Sequence, residues 1–263
     1  MGAGASVTTL FSDDVVSADC KKFIDLHLAY TPVSERGKQL RNAAWKAIDV
    51  NGNGHVCLAE VGKWIQQSAV LSLIEESKPA DRGTGKTCPD HPESAEIKAA
   101  QEEGVRLYKV FYPAYIRAFL DAADIGKNKK IGGTKTATTD DYVQRKEFRY
   151  LNVYLCIYAL MYDAFNKVDG CSAGRTKDDD RRISKAELEK ACDGFKGHPL
   201  LGVKMMGMPE KDYGNIGNIF AEMDSDNKGM VLLKEWCEWM EKQEITHGTE
   251  FGQLLAHGDD RED

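Results

Sequence analysis

One interval, present twice, limits what this chain can fold into more than any other feature. At Trp45 and again at Phe220, an aromatic residue is followed four positions later by Asp, then by Val at the eighth place of the loop that Asp opens, and by Glu at the twelfth. The residues are Asp49, Val56 and Glu60 in one copy, and Asp224, Val231 and Glu235 in the other. Apolar residues flank the first copy at helical spacing (Leu40, Ala44, Trp45 and Ile48 before it, Val61, Trp64 and Ile65 after it), so the pattern predicts two helices joined by a twelve-residue loop. Gly54 and Gly229 stand at the sixth place, where a tight loop needs a positive φ that glycine adopts without a steric penalty.

The first loop follows D-x-[DN]-x-[DN]-G-x5-E, the EF-hand pattern, the second follows it at every place but position 5, and the spacing has a physical cause. Calcium takes six to eight oxygen ligands, which such a loop supplies from positions 1, 3 and 5, from the backbone carbonyl at 7, often through water at 9, and from both oxygens of Glu at 12. In the first loop Asp49, Asn51, Asn53, the carbonyl of His55 and Glu60 fill every place. In the second, Asp224, Asp226, the carbonyl of Met230 and Glu235 do so, but Lys228 stands at position 5, where an ammonium cannot ligate calcium. The first loop is therefore the expected Ca2+ site. The second is either a further site or a hand that serves only to pair with its neighbour.

Two more copies are stretched. Phe165 and Asp169 match the entering half and Ile183 with Glu187 the exit, but Asp to Glu spans 18 steps instead of eleven. The excess is loop-forming sequence around Gly170 to Gly174 and Asp178 to Asp180. Asp169, Asp178, Asp180 and Glu187 could converge on a cation, while Arg181 and Arg182 crowd the place where glycine should turn. Leu120 with Asp124, and Val143 with Glu147, form a fourth copy spanning 23 steps, with Lys127, Lys129, Lys130 and Lys135 inside it. That basic loop is expected to bind no calcium and to serve for pairing.

The expected fold is all-α: two EF-hand lobes, four helix-loop-helix units, and one short antiparallel ladder per lobe through Val56, Val143, Ile183 and Val231. Each lobe combines one regular and one stretched hand, with the aromatic four places before the loop (Trp45, Phe165, Phe220) packing the core and Leu120 at that place in the remaining copy. An N-terminal tail with a short helix covers 1–33 and the first lobe 34–150, with hands at 49–60 and 124–147 and an inserted loop at 76–93. The second lobe covers 151–245, with hands at 169–187 and 224–235, and an acidic tail covers 246–263.

Composition narrows the function classes. Net charge is −7, with 35 Lys plus Arg against 42 Asp plus Glu, which disfavours general nucleic-acid binding, since neutralising phosphates needs a basic surface. Seven cysteines without a CxxC pair indicate neither a disulfide framework nor a zinc site, so a reducing compartment fits best. Met1 to Phe11 lacks the basic start and apolar run of a signal peptide, and no apolar stretch approaches the ~18 residues of a membrane span.

The chain resembles the calflagins, the flagellar calcium-binding proteins of flagellate protists, over about residues 35 to 245. Besides the four hands, the likeness rests on Phe119 to Lys127 through Tyr142-Val143 to Glu147-Phe148, on Tyr154 to Tyr158, and on Val231 to Trp239. The resemblance implies a calcium-dependent protein of the flagellar membrane, held by an N-terminal myristoyl group and a nearby palmitoyl group. Gly2 and Ser6 match the myristoylation signal M-G-x-x-x-[ST]. Calflagin-like tails place Cys beside Gly2, whereas Ala3 and Gly4 stand there and Cys20 is the nearest thiol. A single acyl chain gives only marginal, reversible membrane binding.

Other signals carry little. Gly83 to Thr87 looks like the end of a phosphate-binding loop, but Ala80 stands where that loop needs glycine and Cys88-Pro89 where a helix should begin. The histidines lack metal spacing, and Asp259 to Asp263 reads as a solvated tail. The leading expectation is a calcium sensor or adaptor on the cytoplasmic side of a flagellum or cilium, with a protein partner, peripheral membrane contact, and neither nucleic acid nor a small-molecule substrate. Met205, Met206, Met208, Met223, Met230 and Met240 could supply an adaptable groove or plain core. The alternative is a constitutive structural component whose hands act as helix clamps. A constellation of nucleophile, base and orienting group that would point to an enzyme is not evident.

Overall fold

The computed structural model describes residues 15–76, 94–123, 142–169, 181–195, 197–207 and 215–256. These are mostly helical, with two small antiparallel two-stranded sheets. The chain divides into two compact units, Phe23–Asn152 in one and Met1–Lys22 with Val153–Glu262 in the other.

The described part of the unit 23–152 opens on α1 (Ala18–Leu28), which begins before the division. Then follow α2 (Glu35–Ile48), β1 (His55–Cys57), α3 (Leu58–Glu76), α4 (Ser94–Val110), α5 (Tyr112–Ala123), β2 (Tyr142–Gln144) and the start of α6 (Phe148–Asp169). Ser34 caps α2 by accepting the Gly37 N–H at 3.2 Å, which satisfies one of the donors a helix start leaves open. The helix stops at Asp49, whose backbone leaves helical geometry while its N–H still reaches the Trp45 carbonyl. β1 and β2 pair antiparallel with Val56 opposite Val143, and both valines are fully buried. Trp45 and Trp64 both pack edge-on to Phe148, at 5.6 and 5.3 Å between ring centroids.

The unit 153–262 continues through α6 to β3 (Arg182–Ser184), α7 (Lys185–Ala191), α8 (Leu201–Met206), α9 (Ile216–Met223), β4 (Met230–Leu232), α10 (Leu233–Thr246) and α11 (Glu250–Ala256). Ile183 faces Val231 across the second ladder. Phe165 packs against Trp236 at 5.9 Å, and the Trp236 indole N–H donates to the Met161 carbonyl at 2.9 Å. The ladder residues named from the sequence are thus the ones that pair, because each eighth loop position is a buried β-branched residue on a three-residue strand.

Several expectations need correction. Leu120 is not in the core: it is 41% exposed, and Phe119 is buried in its place. The buried face of α5 includes Ala114, Tyr115, Ala118, Phe119 and Ala122, which turns Leu120 outward. The segment 1–33 contributes more than a tail, since Phe23 and Ile24 of α1 are fully buried, with Phe23 stacked on Phe111 at 4.7 Å. The segment 246–263 contains α11, whose Phe251 and Leu255 share one buried face. Helix α4 stands between the first two helix–loop–strand units and packs so closely on α3 that a Cβ on Gly104 would lie 2.3 Å from the Gln66 carbonyl oxygen. Met205, Met206, Met223 and Met240 are buried core rather than an open groove. Gly2, the loop 77–93, Asp124, Asp178, Asp180 and Met208 lie outside the described residues.

Candidate metal centres

The two twelve-residue loops share the hydrogen bonds that make the turn. In 49–60 the N–H groups of Asn53 and Gly54 donate to Asp49 Oδ1 and Oδ2 at 3.1 and 3.0 Å. In 224–235 those of Lys228 and Gly229 donate to Asp224 Oδ1 and Oδ2 at 3.0 and 2.8 Å. The position-5 N–H also reaches the side-chain oxygen at position 3, Asn51 at 2.9 Å and Asp226 at 3.2 Å. Gly54 and Gly229 both have φ +80°, and the fourth places, Gly52 and Asn227, are left-handed as well, at +68° and +55°. Carboxylate and amide oxygens at positions 1 and 3 thus template the turn by accepting backbone donors, as Asx turns do.

Glu at position 12 closes each loop against the strand. Glu60 Oε2 accepts the Cys57 N–H at 2.9 Å and Glu235 Oε2 the Leu232 N–H at 3.0 Å. The stretched copies share this corner, with Gln144 N–H on Glu147 at 2.7 Å and Ser184 N–H on Glu187 at 2.8 Å. Four helix starts are thereby held by a Glu three residues in, the reciprocal half of a capping box.

The loops differ at the second Glu oxygen. Glu60 Oε1 has the Asn51 amide at 3.4 Å, while Val50 at position 2 is 79% exposed. Glu235 Oε1 accepts both the N–H and the hydroxyl of Ser225, at 3.1 and 2.8 Å. Ser225 was not identified from the sequence, because position 2 carries no ligand in the motif. Its signal is only that a hydroxyl stands where the first loop has Val.

One oxygen each from Asp224, Asp226 and Glu235 lie within 4.8 Å of one another. Asp224 and Glu235 are buried and Asp226 is exposed. The Lys228 ammonium sits 2.6 Å from Asp226 Oδ2. Their hydrogen bond holds the Asp226 carboxyl below, and the Lys228 ammonium above, their ordinary ranges. Met230 and His55, expected to offer carbonyls, open β4 and β1. The donor sets are oxygen throughout, which suits a hard cation and neither zinc nor copper. At the third copy Arg181, two residues before Ile183 as Gly54 is before Val56, adopts φ +54° and so makes the glycine's turn at a steric cost. Asp169 is buried at the end of α6.

No protein-family model matches this chain, and no curated protein is similar enough to count as a match.

Proposed function

We propose that this protein is an EF-hand calcium-binding protein of two lobes and four helix-loop-helix units, acting as a calcium-responsive sensor or adaptor. The observation that carries the reading is the hydrogen-bond pattern shared by 49–60 and 224–235, which brings the motif's side-chain oxygens into one turn around a left-handed glycine. Loop 49–60 is the responsive site. Asp49, Asn51, Asn53, the His55 carbonyl and Glu60 would hold the ion, and Glu60, with one oxygen held only by the Asn51 amide, has the freedom to become a two-oxygen ligand. Calcium there would draw Glu60 and the start of α3 toward the loop, and reorienting α3 against α2 would expose apolar surface to a protein partner.

The likeness to the calflagins supports a place at a flagellum or cilium, with a myristoyl group on Gly2 giving weak peripheral membrane contact. A second reading, a constitutive structural component of a flagellum or cilium, is favoured by the loops that depart from the motif, with Lys228 at a ligand position and Arg181 where glycine should turn.

Calorimetric calcium titration of wild type, Glu60→Gln and Glu235→Gln tests the main reading. Binding should survive Glu235→Gln and be largely lost in Glu60→Gln; unchanged stoichiometry and affinity in Glu60→Gln refutes the assignment. Intact mass of protein from its native cell tests acylation. Liposome flotation of wild type beside Gly2→Ala, with calcium and with chelator, tests whether the anchor matters.

A further inference from the structure

The geometry points to Lys228 as the resident cation of the fourth loop: paired with Asp226, its ammonium stands in for a metal ion at the cluster of Asp224, Asp226 and Glu235 and keeps this hand folded and closed to calcium. This inference rests on the EF-hand reading above and assigns the fourth loop a role within it.

The starting point is charge. In 49–60 the residue at position 3 is a neutral amide, so only Asp49 and Glu60 bring negative charge to the ligand cluster, and the Asn51 amide donates to Glu60. In 224–235 position 3 is a carboxylate, which has no proton to donate. Three carboxylates thus approach within 4.8 Å, a grouping that repels itself unless a cation joins it. Lys228 supplies that cation at 2.6 Å from Asp226 Oδ2, and its charge also acts favourably on Glu235. With the ammonium counted, the fourth loop's ligand cluster carries the same two negative charges as the first. The place the ammonium comes from is position 5, the one ligand position where the first loop has the side-chain oxygen of Asn53.

The rest of the loop matches a hand already filled. Its turn reproduces the first loop's bonds, and Glu235 has both oxygens engaged, one by Ser225 N–H and hydroxyl and the other by Leu232 N–H. A calcium ion entering here would have to displace the ammonium from Asp226, do without a position-5 oxygen, and release Glu235 Oε1 from Ser225. An ammonium about 5 Å from a divalent ion, even in a medium as polar as water, weakens binding by roughly tenfold.

The test separates standing in for a metal from merely lacking a ligand. Lys228→Met removes the charge and adds no oxygen, and Lys228→Arg keeps the charge. Lys228 is 75% exposed, so neither change disturbs the core. In a Glu60→Gln chain, where the first loop is silenced, Lys228→Met should bind calcium about tenfold more tightly at 224–235 than the unchanged loop does. With chelator present, its unfolding midpoint should fall, and calcium should restore it. Lys228→Arg should behave as the unchanged loop in both respects.

Three results overturn the inference. Unchanged affinity and unchanged metal-free midpoint in Lys228→Met mean that the lysine neither excludes nor replaces a metal. A lower midpoint without tighter binding means an ordinary surface ion pair. Tighter binding with an unchanged midpoint means that the lysine excludes calcium without standing in for it. Failure of the EF-hand reading is seen separately, as absence of binding in the chain with Glu60 intact, and the metal-free midpoints remain readable in that event.

Discussion

Lowering the pH should unfold the unit 23–152 through His27, and the size of the effect follows from its surroundings. His27 is fully buried between Phe23 and Trp64, whose ring centroids lie 4.8 and 5.3 Å from its own. Among the described residues neither ring nitrogen has a partner at good hydrogen-bond geometry, the Asn152 side chain being the nearest, and Trp64 Nε1 and Asn152 Oδ1 are likewise unpartnered. Burial pushes the imidazole down to about 3, although the neighbouring Asn152 amide pulls the other way. The folded state therefore binds fewer protons than the unfolded chain, where histidine titrates near 6.5. Stability is complete above about pH 6.5 and is lost as pH falls from there toward 3. Near pH 5 the loss is about 2 kcal/mol, and the full span of the shift corresponds to about 5 kcal/mol. Urea unfolding of wild type and His27→Leu at several pH values between about 7.5 and 5 isolates this contribution, since surface carboxylates titrate alike in both. The Leu variant should lose about 2 kcal/mol less over that range. Parallel pH dependence in the two chains would refute the idea that a neutral imidazole is locked in this core.

Three further outcomes are expected. His198 in the other unit, pushed down to about 3 by burial and by the charges of Lys167 and Lys204, should give that unit the same acid sensitivity, which His198→Gln would reduce in the same urea series. Arg181→Gly should stabilise by roughly 1 kcal/mol, because a side chain at φ +54° carries a left-handed penalty that glycine lacks; a lower thermal midpoint would count against the turn. Gly104→Ala should destabilise by about 1–3 kcal/mol in urea, since its Cβ would meet the Gln66 backbone and push α4 off α3.

What could be read from the sequence was local. The loop 49–60, its copy 224–235 and the ladder residues Val56, Val143, Ile183 and Val231, each four places before a Glu, all follow from intervals shorter than a dozen residues. Over that range a side-chain oxygen meets an N–H four or five residues away whatever the rest of the chain does. The same short range misled at α5, where Leu120 fits the interval but Phe119 faces the core. Helix rotation is chosen by the total apolar face against its neighbours, not by one position. The burial of α1, expected only as a short helix of a tail, and the helices α4 and α11 escaped notice because such burial depends on partners distant in sequence: Phe23 on Phe111, and Gly104 on Gln66.

The fourth loop draws the line most sharply. Its spacing alone determined that Asp224, Asp226 and Glu235 would meet, and that Lys228 would be among them. Whether the lysine would point away into water or turn back onto Asp226 was left open, because a four-carbon stem has rotamers for both. Only the folded structure decided it, since three carboxylates gathered by the turn create the field that draws the ammonium in.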